Sequence, residues 1–514
     1  MVESTEVEVK LLVDGRVLPQ LTALPVIGTS LKRAARRRIE TSYYDTPEHI
    51  LERQGLVLRV RKGDGNPLLS VKQHAGGAII RKEWERRIRG DEPQPKDWRG
   101  TPVEPLLKQS DTRSLLRPLF TTVIDRAAFE VEYDGALIEV AFDRGEIKHD
   151  GRELPVSEIE FELKQGGREA PFSLARMLAR HAPLRLGLLS KGERGQLLSS
   201  GCWGMPYAAT TPEITETTSL RDAIQIICRT CLKDFARNET ILAGRYDSEA
   251  VHQARIAVRR LRSALGLFKG QMTDPQRPIL NREIKWLWGV TGPARDLDVM
   301  RGDLEEERER GDLPAGAASL IEVIENKADA ARVELLAALR SDRNRLLFID
   351  LAGWIENGEW SRSASAALGG ALMASVGGPL DKKLEKLQRL SRKIGSAKPR
   401  KRHRIRIAAK ELRLVCEFFD RVVTEGKARK RYDALLSVLG KLQKPLGRLQ
   451  DRATQIELLE QAAQEAQSTL RVPSIPLDAA VTALASDRAK HPAKLLKSLK
   501  KSSEKLAKVK GFWQ

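Results

Sequence analysis

Cysteine, aromatic residues and long apolar runs are all scarce in this chain. Four cysteines in 514 residues exclude a disulfide-stapled scaffold and fit a reducing compartment. Cys228 and Cys231 form one Cys-x-x-Cys, but only Cys202 and Cys416 lie elsewhere, so the pair reads as helix core and not as a zinc site. No apolar run approaches the ~18 residues that span a bilayer, and the acidic Met1-Val2-Glu3-Ser4 is no secretory signal. A cytoplasmic protein without a membrane partner is expected. The seven histidines offer no His-x-x-x-His spacing around His252 or His403, which argues against a zinc centre there. At 5% aromatics a basic surface has few platforms for bases, which disfavours specific nucleic-acid recognition.

What is abundant is charge, unevenly placed. Residues 1–200 hold 33 basic and 30 acidic side chains and the remainder 56 and 39, so +17 of the total +20 lies beyond residue 200. Pro206, Pro212 and a threonine-rich stretch over 203–218 mark a linker. Before it the apolar period is two; after it the period is about 3.6. The expected class is multidomain α+β, with domains at 1–202 and 219–510.

Two strands of the first domain alternate in the same way. Glu6-Val7-Glu8-Val9-Lys10 puts Glu6, Glu8 and Lys10 on one face, and Glu160-Phe161-Glu162-Leu163-Lys164 does likewise. Four carboxylates facing a common space suit a divalent cation. Arg59 and Arg61, Lys72 and Arg81 recur at strand spacing, Arg126 sits before a further strand pair, and Asp143 there shares its face with Glu139 and Ala141. Inward cations beside inward carboxylates suit a polyanion held through metal, and a barrel with a charged interior is the simplest enclosure.

These residues resemble the CYTH family, the triphosphate tunnel metalloenzymes. The resemblance covers roughly the first 200 residues. It runs through Tyr44-Asp45-Thr46-Pro47, Leu58-Arg59-Val60-Arg61, Ser70-Val71-Lys72, Asp125-Arg126, Glu158 to Lys164 and Ser190-Lys191-Gly192-Glu193-Arg194-Gly195. It implies an eight-stranded antiparallel β-barrel tunnel. It also implies Mg2+ or Mn2+ held by Glu6, Glu8, Asp143, Glu160 and Glu162, and phosphate oxygens gripped by Lys10, Arg59, Arg61, Lys72, Arg81, Arg126 and Lys191. Glu6, Glu8, Lys10, Glu160 and Glu162 would then be the catalytic set. Hydrolysis of inorganic triphosphate to pyrophosphate and phosphate is the expected reaction. Family members also include thiamine triphosphatases and adenylate cyclases, and a non-catalytic polyphosphate-binding protein is the rival reading.

The helical part repeats itself. Val251 to Arg262 returns as Arg402 to Arg413, aligning His252, Arg255, Arg259 and Arg262 with His403, Arg406, Lys410 and Arg413. At about 100° per residue each set falls within roughly 80°. Ala257, Leu261, Leu265 and Phe268 lie opposite the first set, and Ala408, Leu412, Cys416 and Phe419 opposite the second. Gly292-Pro293-Ala294-Arg295-Asp296 and Leu446-Gly447-Arg448-Leu449-Gln450-Asp451 form a second echo. The pattern resembles the CHAD family, the conserved-histidine α-helical domain. That implies two pseudo-symmetric four-helix bundles, about 219–360 and 370–510, whose eight repeated side chains bind inorganic polyphosphate and could place the protein at polyphosphate granules.

Overall fold

The computed structural model describes residues 2–14, 17–63, 65–74, 80–362, 366–370, 372–469, 474–488 and 492–514. They fall into two compact units. The first comprises Met1–Tyr207 with Leu232–Ile241 and Arg340–Arg362; the second comprises Ala208–Cys231, Leu242–Leu339 and Ser363–Gln514.

The first unit is built on an antiparallel sheet of β1 (Val2–Leu12), β2 (Ala35–Asp45), β3 (Leu56–Lys62), β4 (Leu68–His74), β5 (Ile80–Arg87), β6 (Arg117–Tyr133), β7 (Ala136–His149), β8 (Arg152–Gln165) and β9 (Arg185–Leu186). The order is β5-β4-β3-β2-β6-β7-β8-β1-β9. β1 also pairs with β5: its residues Val2 to Val7 face Glu85 to Ile80, while Glu8 to Leu12 face Glu162 to Glu158 of β8. The sheet thus has nine strands where eight were expected. The extra one is two residues long and forms because the chain beyond helix Ala170–His181 takes up backbone groups of β1 at Leu11 and Leu12.

Alternation along the strands sorts the side chains. Val9, Leu11, Ile138, Val140, Ile159 and Phe161 are buried, and helix Ala170–His181 packs over β1, β7 and β8. Its Arg176 forms a two-pronged ion pair with Asp350 of helix Asp342–Asn357. Leu58, Val60, Leu69 and Val71 pack with Trp98, Val103 and Leu107 from the segment after β5. The other strand face is polar, and helix Lys191–Ser199 closes on it against β6, β7 and β8. That approach needs glycine. A Cβ on Gly192 would lie 3.0 Å from the Tyr43 ring, and one on Gly195 would overlap the Phe120 ring.

In the second unit the repeat takes physical form. Helix Ser248–Leu267 packs on Arg277–Glu309, helix Pro399–Glu417 packs on Gly426–Thr469, and the two shorter helices pack on each other. Each long helix carries an internal proline, Pro293 and Pro445, a position that removes one helix hydrogen bond and bends the axis. Ala257, Leu261, Leu265 and Phe268 are buried, as are Leu412, Cys416 and Phe419, while Ala408 is half-buried. Cys228 and Cys231 are buried in helix Leu220–Gly244, neither of them in a disulfide. No described helix is long and apolar enough to cross a membrane.

Phe120 is buried and stacked on Tyr43 at 4.5 Å, so it cannot swing away from an added methyl. Gly195→Ala is therefore expected to destabilise the first unit by about 1–3 kcal/mol, read as a lowered midpoint in denaturant unfolding.

Candidate active site

One cavity of about 440 Å3 receives side chains from each of β1 to β8 and from the start of helix Lys191–Ser199. Strand register explains why so many charges meet there. Lys10 of β1 faces Glu160 of β8, Ala141 of β7 also faces Glu160, and Arg126 of β6 faces Asp143 of β7. Arg59 of β3 faces Tyr43, and Lys72 of β4 faces Glu83 of β5. Ion-paired residues of one parity thus line the cavity together.

At one pole stand Asp143, Glu158 and Glu160, with an oxygen of each within 4.8 Å of the others. Lys10 Nζ lies 2.9 Å from Glu160, 3.3 Å from Glu158 and 3.4 Å from Glu8. Lys191 Nζ lies 2.6 Å from Asp143 and 2.8 Å from Glu160 and also pairs with Glu158. Arg126 forks onto Asp143 with bonds of 2.7 and 2.6 Å and reaches Glu160 as well. Arg194 donates to Glu158.

The electrostatics follow from that crowding. Burial pushes the Glu158 carboxyl up, but Arg194, Lys10 and Lys191 outweigh it and hold the group down at about 2. Burial likewise raises Glu160, and Lys10, Lys191 and Arg126 hold it well below the usual carboxylate range. Burial lowers Lys191, yet Glu158 and Glu160 carry it above the ordinary amine value. Both signs stay charged because each is the other's counterion.

The opposite pole is cationic. Arg59 and Lys72 share Glu83, at 3.1 and 2.9 Å; burial raises that carboxyl, and the two cations bring it down to about 2. Arg61 is pushed below its ordinary value by the like charge of Arg59, then by burial and by Arg126. Its Nε has no hydrogen-bond partner among the described residues. Tyr43 is raised by burial, but Arg59 above all, then Lys191 and Arg61, draws its phenol down overall.

Of the residues singled out in the sequence, Glu8, Lys10, Arg59, Arg61, Lys72, Arg126, Asp143, Glu160, Glu162 and Lys191 all line this cavity. The side chains of Glu6 and Arg81 lie outside the described residues. Glu162 pairs with Lys164 at 2.7 Å and does not belong to the group of three carboxylates. Glu158 does, and it was missed as a site residue although it shares the parity of Glu160 and Glu162. Arg37, Glu85 and Glu139 also line the cavity.

The basic stripes of the second unit converge. Burial, then Arg255 and Arg406, push Arg259 down to about 10; burial, then Arg406, Arg259 and Arg255, push Lys410 down to about 8. Cations from both copies therefore repel one another across the packed pair of helices. In the first copy Arg255, Arg259 and Arg262 surround Trp288, their guanidinium carbons 4.2, 5.7 and 5.4 Å from its ring centre. His252 is lowered by burial and by Arg295. In the second copy His403 Nδ1 lies 2.7 Å from Gln450 Oε1, Arg406 pairs with Asp451 at 3.3 Å, and Arg413 pairs with Glu417 at 2.7 Å.

Residues 4–195 match the family model of the CYTH domain, and residues 226–460 match that of the CHAD domain. An inorganic triphosphatase of Haemophilus influenzae is 33% identical over 203 residues, which is 38% of this chain and 55% of that protein. The chain thus spans about half the length of that relative. Among solved structures, a CHAD domain from the plant Ricinus communis is 28% identical over 58% of this chain and 96% of its own, with a TM-score of 0.47. PptA from Streptomyces chartreusis is 15% identical over 56% of this chain and 100% of its own, with a TM-score of 0.43.

Glu158 has an acid signature. Its folded value of about 2 lies below the ~4.3 of an unfolded chain. The stability it contributes is complete above the unfolded value and is lost as pH falls through the folded one. Arg194→Met removes a buried partner and is expected to destabilise by about 3–5 kcal/mol. It should also move the acid-unfolding midpoint to higher pH, followed by circular dichroism.

Proposed function

We propose that this chain, which joins a CYTH domain to a CHAD domain, hydrolyses inorganic triphosphate to pyrophosphate and phosphate and binds inorganic polyphosphate through its helical part. The carrying observation is the two-pole cavity. Its described lining holds seven cations and seven carboxylates, so the carboxylate pole offsets the attraction that a bare polyanion meets at the cationic one. A divalent cation taken up by the carboxylate pole would tip that balance, which is the physical case for metal dependence.

The donor set fits such an ion. Asp143, Glu158 and Glu160 offer hard oxygen ligands close together, the kind that suits Mg2+ or Mn2+, with Glu8 and Glu162 lining the same space. When bound, the cation would neutralise phosphate oxygens and make an attacking water more acidic. The chain's own groups do the rest. Arg59 and Arg61 present forks for non-bridging oxygens, and Arg61 gains most because an anion relieves its repulsion with Arg59. Lys72 adds a point charge beside them. Lys10 and Lys191, now paired with the carboxylates, are placed to turn toward phosphate once a metal takes their partners. Carboxyls held as low as Glu158 and Glu160 are poor proton acceptors at neutral pH, where a general base works best near the operating pH; their state suits them to ligation. Phosphoryl transfer demands this combination of positioning and charge more than covalent help. We read the eight long strands, with β1 paired to both β8 and β5, as the wall of a tunnel.

For the helical part, the support is the gathering of Arg255, Arg259, Arg406 and Lys410 with mutual repulsion. A flexible chain of phosphates relieves such repulsion without needing bases to stack.

Two measurements test this reading. Phosphate release from tripolyphosphate should require Mg2+ or Mn2+, stop on chelation, exceed release from ATP, and fall by about 100-fold or more in Glu160→Gln. Chelator-resistant turnover, or full activity in Glu160→Gln, would sink the tunnel assignment. In the second, polyphosphate affinity should weaken as pH rises through about 8, where Lys410 loses its proton, and Lys410→Arg should remove that dependence. A flat profile in the unaltered chain counts against the polyphosphate surface.

A further inference from the structure

The helix that brings Lys191 into the cavity is fixed at its first turn by one buried carboxylate. Glu193 Oε2 accepts from the Ser190 amide and from the Ser190 hydroxyl, each at 2.9 Å, and Ser190 Oγ accepts from the Glu193 amide at 3.2 Å. This reciprocal cap sets where the helix begins, and Lys191 is its first residue. The second oxygen, Glu193 Oε1, accepts from Lys233 Nζ. Lys233 stands on helix Leu220–Gly244. It falls within the stretch that matches the CHAD model, yet its segment, Leu232–Ile241, belongs to the first compact unit.

The chemistry of that contact is that of a buried anion and its counterion. Glu193 is 6% exposed, and taking away an ammonium that neutralises a buried carboxylate favours its protonation or its turn toward water. Either change weakens the cap. The following turn has no slack to absorb a shift: Gly192 lies against Tyr43, Gly195 against Phe120, and Arg194 is committed to Glu158. Lys191 must hold three carboxylates at once, so displacement of the cap moves the charge that serves the cavity.

We infer that Lys233 is a positioning residue for Lys191, acting through Glu193 and the Ser190 cap, so that a residue within the CHAD-matching stretch sets a charge in the tunnel. The inference rests on the triphosphatase reading above. It is tested in the full chain with Lys233→Met, Lys233→Arg, Lys191→Ala and the double variant Lys191→Ala/Lys233→Met, assayed with tripolyphosphate and metal. Lys233→Met should lower kcat by about tenfold or more, as misplacement of a positioning group does, and Lys233→Arg should restore most of it. In the Lys191→Ala background, Lys233→Met should cause no further loss, since both changes disable one charge. A purely structural role would instead multiply the two losses. Unchanged kcat in Lys233→Met, or multiplied losses, overturns the inference. If the unaltered chain turns over nothing, the triphosphatase reading falls separately, and the same cycle is read in tripolyphosphate affinity by calorimetry. There, too, losses that do not multiply support the relay, and multiplied or absent losses overturn it.

Discussion

Three carboxylates taken out of water inside a sheet must be neutralised from every side, and the first unit is arranged around that requirement. Asp143 and Glu158 are buried and Glu160 nearly so; uncompensated, each would carry a penalty of several kcal/mol. No single element carries enough cations to satisfy them. Lys10 comes from β1, Arg126 from β6, and Lys191 and Arg194 from a helix that follows the last strand. The carboxylates therefore tie together segments from the whole length of the unit. The same pairs that stabilise the cavity are those a metal ion and a phosphate chain would exchange for new ones, so stability and proposed chemistry draw on one set of charges.

The second unit has the reverse problem. Its two repeated helices bury apolar faces against their long partners, and that burial brings like charges together. Beyond burial, Arg255 and Arg406 push Arg259 down, and Arg406, Arg259 and Arg255 push Lys410 down. Aromatic contact with Trp288 and ion pairing with Asp451 ease part of the repulsion. The copies differ in how they do so, since position 288 is tryptophan in the first and the second leans on Gln450, Asp451 and Glu417. The stripe recurs in both copies, and its surroundings differ between them.

Much of this was legible in the chain itself. Period-two alternation placed Glu8, Lys10, Arg59, Arg61, Lys72, Asp143, Glu160 and Glu162 on cavity-facing positions, because in a strand one residue of shift flips a side chain to the other face. The internal repeat aligned His252 with His403 and Arg259 with Lys410 in the sequence, and Arg259 comes near enough to Lys410 to push it down. Glu158 escaped notice for lack of distance information: parity admits it, but only the register of β8 against β1 and β7 puts it among Asp143, Lys10 and Lys191 rather than at an edge. The ninth strand escaped for a similar reason, being two residues with no pattern of their own.

By itself the sequence determined which face of each element is charged and which apolar, that the first part is strands and the second helices, and that the helical stripe occurs twice. The first two follow from periodicity, which any neighbouring ten residues reveal, and the last from comparing two such stretches of the chain. Only the tertiary structure decided that the charges form two poles, that Arg61 is crowded by Arg59 while Lys191 is cradled by three carboxylates, and that Lys233 reaches Glu193 from forty residues away. Those outcomes depend on distances between segments far apart in the chain, and Coulomb energy at short range in a partly desolvated space changes too steeply with distance for any sequence pattern to encode it.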